Sequence, residues 1–481
     1  MELFFKSEKA LNRIEEFRAF LLSSRWMAFL ACVSAAAITG THFFPGQDIE
    51  IKFTVIFVYI TVLVFAISSD IFATLLPLMC TYMVAIQCFD SFDKFMAIKW
   101  WLVPVFIPVL FHIVCYRKRL TIKGTQFLPL LLVSTSIILG GIGFITKQEY
   151  FAGTSIYHML GLGFGMLLIY SYLFAHIEKK KEYDITEMLT KIMVITGALA
   201  SFMVITFYLV NIDMVIESIE TRTVIYMQWR NNCSTILMMS IPFAFMRANK
   251  KSYASILGFV FYFAILLTGS RGGMVFGTIE LVMCIIMFML YDKRRRVAYI
   301  VICVCVAFGC LVFAPQITEL LGSTIDRLFN AINGFLLGDK TEIRVRHYAQ
   351  GIQDFLNRPF FGTGLGYMGN RNIHESKKFA LCWYHCEPIQ ILASFGLFGA
   401  VTFIYQFFHR MALLWRKSSL FNVTIFLSYI SLELMSLVNP GILCPLPYLF
   451  LVVLYLVVVE KNDEGEEIKR FKFLYKDKKV K

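Results

Sequence analysis

Long apolar blocks separated by short polar segments run along almost the whole chain. Each block has roughly 18 to 22 residues, the length that a helix rising 1.5 Å per residue needs to cross a hydrocarbon layer of about 30 Å. We therefore expect an all-α fold, a polytopic transmembrane helical bundle of about fourteen spans with one large extracytoplasmic helical loop. The expected spans lie near residues 19–40, 52–68, 71–88, 96–115, 127–146, 156–176, 190–211, 231–247, 253–269, 274–291, 297–314, 388–408, 420–438 and 443–460.

The composition supports a membrane protein. Of the 481 residues, 58% are hydrophobic and 16% are charged, whereas a soluble protein carries about 25% charged residues. The net charge of +13 comes from short basic clusters between apolar blocks, where topology signals occur, so we expect no nucleic-acid partner. Cysteines such as Cys80 and Cys284 lie inside apolar blocks, where a thiol acts as a small hydrophobe, and indicate no disulfide scaffold.

The basic clusters also predict an orientation. With a cytoplasmic N-terminus, every strong cluster from Arg117-Lys118-Arg119 to the Lys-rich C-terminal tail faces the cytoplasm, as the positive-inside rule requires. We therefore expect a multi-pass protein of the cytoplasmic (inner) membrane with both termini cytoplasmic. Two outward segments, 212–230 and 315–387, are longer than the other loops.

The second outward segment has its own helix signal. Ile343, Tyr348, Ile352 and Leu356 recur at helical spacing before Pro359, which ends a helix. A loop longer than about 15 residues is usually functional or disordered, and this pattern favours a packed external subdomain. The expected organisation is N-terminal transmembrane helices 1–189, core transmembrane helices 190–314, an extracytoplasmic catalytic loop 315–387, C-terminal transmembrane helices 388–460 and a charged cytoplasmic tail 461–481.

Three groups of residues could carry chemistry. The outward segment contains Arg344-x3-Tyr348-x10-Pro359-x2-Gly362-x-Gly364-x-Gly366, followed by His385, Gln390 and Gly396-Leu397-Phe398-Gly399. Upstream, Gly269-Ser270-Arg271-Gly272-Gly273 and Arg230-Asn231-Asn232 each precede an apolar helix. Over roughly residues 190–445 this arrangement resembles the O-antigen ligase and polymerase superfamily, although Cys386 stands where the family commonly has Asn after the loop histidine.

Each candidate also has a purely structural role open to it. Arg271 could be an interfacial anchor, but the surrounding glycines expose backbone N–H groups as anion-binding turns do. Arg344 could pair with Glu342 or Asp354, and Arg346 and Arg358 are expected to be surface charges. Arg344 and Tyr348 lie one helical turn apart and could present a charge and an aromatic ring together.

The loop histidine is ambiguous in the same way. His385 could belong to an interfacial aromatic belt with Trp383 and Tyr384, but neutral imidazole is also an effective general base near pH 7. Cys382 and Cys386 flank it, so a disulfide or a metal site with His374 and Glu387 is an alternative. Four clear ligands at metal spacing are absent from the sequence.

The resemblance implies a membrane glycan transferase that uses undecaprenyl-diphosphate-linked glycan as donor. Direct attack by an acceptor hydroxyl predicts an inverting enzyme in which His385 is catalytic, and arginines in place of a divalent ion predict independence of metal and cofactor. The residues expected to bind the donor diphosphate are Arg271, Arg344, Arg230 and Arg222, and the expected supporting residues are Ser270, Gly272, Gly273, Tyr348, Gly362, Gly364 and Gln390.

Several functions stay open at this point. The acceptor could be the growing glycan, giving a polymerase for O-antigen, capsule or exopolysaccharide, or another lipid or protein, giving a ligase. Membrane lipids, a flippase and a chain-length regulator are the expected partners. A lipid-linked oligosaccharide flippase or transporter would place ionisable residues within its spans, and Glu280 and Glu433 are among the few such residues. A non-catalytic assembly subunit is the third class.

Overall fold

The protein is described by a computed structural model. It covers residues 8–44, 48–88, 99–116, 118, 124–179, 182–221, 223, 227, 229–251, 254–336, 343–367 and 383–464. Within these ranges the chain is helical and forms no strand, and an isolated antiparallel bridge joins Phe151 to Tyr367. The expectation of an all-α fold is confirmed for this part of the chain.

The described helices follow one another along the chain. They are Glu8–Leu21, Ser24–Phe43, Ile49–Ile67, Ile71–Ala85, Phe106–Cys115, Phe127–Thr146, Ser155–Leu160, Met166–His176, Ile185–Val210, Ile212–Thr221, Arg230–Ala248, Ser255–Leu267, Arg271–Tyr291, Arg296–Val312, Ala314–Leu336, Ile343–Asn357, Glu387–Trp415, Leu420–Ser436 and Phe450–Asn462.

Eight of the described helices are long and apolar enough to cross a membrane. Four shorter apolar helices, of 10 to 17 residues, accompany them. The chain is therefore a membrane protein, while the figure of fourteen spans stays a prediction. Some expected spans are interrupted, because a 3-10 segment, Lys99–Val105, precedes Phe106–Cys115, and an irregular turn, Pro445–Leu449, precedes Phe450–Asn462.

The chain divides into two compact units, of which the first comprises Met1–Leu120, Ala175–Met274 and Ala298–Val306. Its central helix, Ile185–Val210, packs against Arg230–Ala248 and Ser255–Leu267. Gly197 on this helix allows the close approach, because an added Cβ would lie 2.6 Å from the Phe261 ring and 2.7 Å from Ser240 Cβ.

The second unit comprises Thr121–Phe174, Val275–Val297 and Ala307–Lys481. Its centre is the helix Glu387–Trp415, which packs against Phe127–Thr146 and against Ile343–Asn357. We call Ile343–Asn357 the loop helix and Glu387–Trp415 the broken helix, because Gly396 interrupts the latter with φ 66° and ψ −160°.

Candidate functional site

The break at Gly396 provides a docking site for residues 359–364, which we call the Pro-Gly turn. A helix break leaves carbonyl and N–H groups without intrahelical partners. The turn supplies those partners through four backbone hydrogen bonds: Leu397 N to Pro359 O (2.7 Å), Phe398 N to Phe360 O (3.1 Å), Thr363 N to Ala393 O (2.8 Å) and Gly364 N to Ser394 O (2.9 Å). The motif glycines in both segments therefore serve one joint.

Glycine is required on both sides of this joint. Gly362 has φ +73°, and an added Cβ would lie 2.3 Å from the carbonyl carbon of Ser394. A Cβ on Gly396 would lie 2.4 Å from the carbonyl carbon of Phe360. Gly143, on the neighbouring helix Phe127–Thr146, would likewise meet the Thr363 carbonyl oxygen at 2.4 Å. These distances are too short for any side chain.

His385 lies just before the broken helix in a strained conformation. Its φ of +55° is in the left-handed region, which non-glycine residues seldom occupy. The Tyr348 hydroxyl donates a hydrogen bond to the His385 carbonyl at 3.3 Å, and the His347 ring stacks on the His385 ring with centroids 5.6 Å apart and planes 16° apart. The loop helix thus contacts His385 through two side chains, and such strain is often found at functional sites.

A buried polar chain supports this conformation from the same helix. Asp354 accepts hydrogen bonds from the Gln350 amide (2.9 Å) and the Tyr384 hydroxyl (2.5 Å). The Tyr384 backbone N–H donates to Gln390 Oε1 (3.0 Å), whose amide donates to Ser394 Oγ (2.9 Å). The predicted site residue Gln390 therefore holds the backbone next to His385.

Arg344 and Tyr348 lie together on the loop helix as the sequence predicted. Burial raises the pKa of Tyr348, and the Arg344 guanidinium opposes this change. Tyr348 is therefore a neutral hydroxyl near a positive charge. In the second unit the Tyr348 hydroxyl contacts the His385 backbone, and the buried Gln390 side chain is bonded to the residue before it.

Cys386, beside His385, forms no disulfide bond with another described residue. Cys386 is a free cysteine, and burial raises the pKa of its thiol, which favours the protonated form. Cys382 and His374 lie outside the described residues. In the part of the chain that the structure describes, no three His, Cys, Asp or Glu side chains form a cluster that could hold a metal ion.

In the first unit the Ser-Arg-Gly turn and the Asn-bearing helix entry meet. Ser270 Oγ donates to Asn231 Oδ1 at 2.8 Å and accepts from the Gly273 N–H at 3.1 Å. Gly273 must be glycine, because an added Cβ would lie 2.6 Å from Ser234 Oγ. Two segments 39 residues apart in sequence are therefore bonded directly through Ser270.

This junction places two basic residues at helix starts. Arg230 is the first residue of Arg230–Ala248, and Arg271 is the first residue of Arg271–Tyr291. The N-terminus of a helix offers N–H donors and a partial positive charge, which favour anions. Gly272 is buried in the same turn, and Arg222 lies outside the described residues.

The loop helix buries polar positions rather than apolar ones. The apolar positions Ile343, Ile352 and Leu356 are 56%, 51% and 67% exposed, whereas His347 and Asp354 are buried. The helix buries a polar stripe because Asp354 is bonded to Gln350 and Tyr384, and the His347 ring stacks on His385. Sequence reasoning missed His347, Asp354 and Tyr384, although polar residues spaced three and four apart on the loop helix were a usable signal.

Comparison with protein families adds an independent finding. Residues 254–404 match the model of a family described as O-Antigen ligase. This segment is similar to O-antigen ligases. The domain match confirms the family resemblance and includes Arg271, Arg344, His385 and Gly396, whereas Arg230 precedes it. Among curated proteins, none matches the chain significantly.

Proposed function

We propose that this protein is a glycan polymerase that uses undecaprenyl-diphosphate-linked oligosaccharide as donor on the extracytoplasmic side of the inner membrane. The match of residues 254–404 to O-antigen ligases supports a membrane glycosyltransferase. The observation that carries the proposal is the strained His385, whose carbonyl accepts a hydrogen bond from Tyr348, one helical turn after Arg344 on the loop helix.

In the proposed reaction, His385 is the general base. An acceptor hydroxyl oxygen attacks the anomeric carbon, and His385 takes the hydroxyl proton as the new C–O bond forms. The bond from the anomeric carbon to the diphosphate oxygen breaks, and its electron pair leaves with the diphosphate. A single displacement of this kind inverts the anomeric configuration.

The leaving diphosphate gains negative charge during the reaction. Guanidinium groups stabilise that charge through bidentate hydrogen bonds. We propose this role for Arg344 and Arg271, with Arg230 and Arg222 as further contacts. The proposed mechanism requires no metal ion, so activity should be unchanged by chelators.

Site-directed variants test this proposal. His385→Ala should lower the rate of glycan transfer by about 10²- to 10⁴-fold, the usual contribution of a general base. Arg344→Ala and Arg271→Ala should each lower it by roughly 10²-fold, because each removes a donor to the developing charge. Transfer is measured in proteoliposomes with a lipid-diphosphate oligosaccharide, after confirming membrane insertion.

Arg346→Ala is the matched control, because Arg346 is exposed on the same helix. It should retain the wild-type rate. Wild-type rates from all three site variants would overturn the mechanism. Elongation of the lipid-linked glycan distinguishes a polymerase from a ligase, which would instead transfer the glycan to a different lipid or protein.

One observation favours a flippase as the second candidate. Arg410 is buried within the broken helix, 3.8 Å from Glu433 and 3.3 Å from the Tyr429 hydroxyl, and intramembrane charges often mark transport pathways. A flippase would move labelled lipid-linked oligosaccharide across liposomes without forming a glycosidic bond. The proposed transferase would instead form a glycosidic bond, using donor that is already on the outer face of the membrane.

A further inference from the structure

A cavity of about 170 Å³ lies in the second unit, away from His385. It is lined by Gly143, Lys147, Asn357, Arg358, Thr363 and Tyr367. Its floor is rigid, because Thr363 is bonded to the Ala393 carbonyl through both its N–H (2.8 Å) and its hydroxyl (3.0 Å). The volume is sufficient for several water molecules or for one sugar ring.

The cavity carries two positive charges. Lys147 and Arg358 are exposed at its rim, and neither forms an ion pair with a carboxylate of the described ranges. The Arg358 charge lies close enough to Tyr367 to oppose the rise in its pKa that burial causes. An Arg guanidinium beside a Lys ammonium is suited to a carboxylate or phosphate group.

Aromatic rings adjoin these charges. The rings of Tyr367 and Tyr150 have centroids 5.9 Å apart, and Lys147 Nζ lies 5.6 Å from the Tyr150 ring centroid. A sugar ring has an apolar face that packs on an aromatic surface, and its hydroxyls can pair with an amide such as that of Asn357. A small inorganic anion would use the charges alone.

The loop helix relates the cavity to His385. Tyr348 contacts the His385 backbone, and Asn357, nine residues later, lines the cavity, which corresponds to about 14 Å along a helix. A few sugar residues span such a distance. A glycan with one residue at His385 could therefore place another in the cavity.

We propose that this cavity binds an anionic sugar residue, carrying a carboxylate or phosphate, of the glycan that the enzyme extends. The inference rests on the proposed function and deepens it, because it names the substrate class as an acidic polysaccharide. Lys147 and Arg358 contact the anionic group, Tyr367 packs on the ring, and Asn357 pairs with a hydroxyl.

The test compares tetragalacturonate with its methyl ester, in which each carboxylate is replaced by an uncharged ester. Binding is measured by calorimetry on the full-length protein in phosphatidylcholine nanodiscs. Wild type should bind tetragalacturonate at least about tenfold more tightly than the ester, as expected for hydrogen bonds to a charged group. This preference should decrease as salt screens the charges.

Substitutions test whether Lys147 and Arg358 cause the preference for tetragalacturonate. The double substitution Lys147→Gln/Arg358→Gln should abolish the preference for tetragalacturonate. Arg346→Gln, which removes an exposed charge from the loop helix, should preserve that preference. Each of the two cavity cations follows the C-terminus of a helix, where a cation also offsets the helix dipole. If Lys147 and Arg358 served only to cap these helices, the wild type would bind the two probes with equal affinity. Equal affinity would overturn the proposal.

Two further measurements test the kind of ligand and the link to catalysis. Displacement of tetragalacturonate by inorganic phosphate at equal concentration would identify a general anion site. Displacement by phosphatidylglycerol in the nanodisc would identify a lipid headgroup site. Either result would overturn the saccharide assignment. His385→Ala should keep the binding preference while it loses transfer activity. If His385→Ala transferred glycan at the wild-type rate, the proposed function would be refuted. If the wild type did not prefer tetragalacturonate over its ester, this inference would be refuted.

Discussion

At the scale of single residues, buried hydrogen bonds determine where the candidate base lies. His385 occupies a left-handed conformation that Tyr348, Tyr384 and Gln390 hold through backbone contacts. Asp354 anchors Tyr384 and is itself almost fully buried. A carboxyl group so enclosed depends on its hydrogen-bond donors, because an unsatisfied buried polar group is costly.

This environment predicts a pH-dependent stability. Burial raises the pKa of Asp354 above its usual 3.8, although the Tyr384 hydroxyl and the Gln350 amide oppose the rise. A folded-state pKa above the unfolded value contributes stability that is present below about pH 4 and is lost as the pH rises through the folded value. Relative to Asp354→Asn, the wild type should therefore lose thermal stability over this interval.

Thermal unfolding in nanodiscs between about pH 4 and 8 measures the effect. Asp326→Asn, at an exposed site on Ala314–Leu336, is the control and should follow the wild type. A difference between wild type and Asp354→Asn that does not vary with pH would contradict the prediction.

At the scale of elements, the molecule joins a turn to a helix break. The Pro-Gly turn and the broken helix exchange four backbone hydrogen bonds, and each bond uses a group that an unbroken helix would have satisfied internally. The motif glycines are therefore accounted for by backbone geometry. They position the first residues of the broken helix, and with them His385, relative to the loop helix.

Gly396→Ala should weaken this joint. The backbone at Gly396 lies in a region that only glycine adopts readily, so strain of about 1–3 kcal/mol is expected. A Cβ would also lie 2.4 Å from the Phe360 carbonyl carbon. We expect a lower unfolding temperature and reduced glycan transfer.

Gly309→Ala is the matched control for this change. Apart from the backbone of its own helix, no atom of the described residues lies within 4 Å of a Cβ added there. Alanine in a helix is favoured by roughly 0.5–1 kcal/mol over glycine. Gly309→Ala should therefore match or exceed wild-type stability. Equal effects of the two substitutions would show that Gly396 has no special role.

At the scale of the whole molecule, hydrophobicity and charge determine different properties. The eight long apolar helices make the chain a membrane protein, whereas the basic clusters predict which ends face the cytoplasm. Both compact units combine segments distant in sequence. Substitutions in one segment should therefore affect residues far along the chain.

Cysteine labelling tests the predicted orientation. Asp326→Cys, in the predicted outward segment, should react with a membrane-impermeant maleimide in intact spheroplasts. Glu178→Cys, in a predicted cytoplasmic loop, should react only after permeabilisation. The unsubstituted protein, which has its own cysteines, gives the background. The reverse pattern would place residues 315–387 in the cytoplasm and exclude the proposed donor.

The sequence by itself determined the membrane class, the all-α fold and the resemblance to O-antigen ligases, because apolar block length and motif spacing are local properties of the chain. It also predicted the loop helix and its end before Pro359. Only the tertiary structure decided which face of that helix is buried. Hydropathy favours burying Ile352 and Leu356, but Asp354 and His347 face inward instead, because the Tyr384 hydroxyl bonds to Asp354 and the His385 ring stacks on His347. The joint at Gly396 and the cavity beside Arg358 likewise arise from contacts between residues far apart in sequence, which no local pattern encodes.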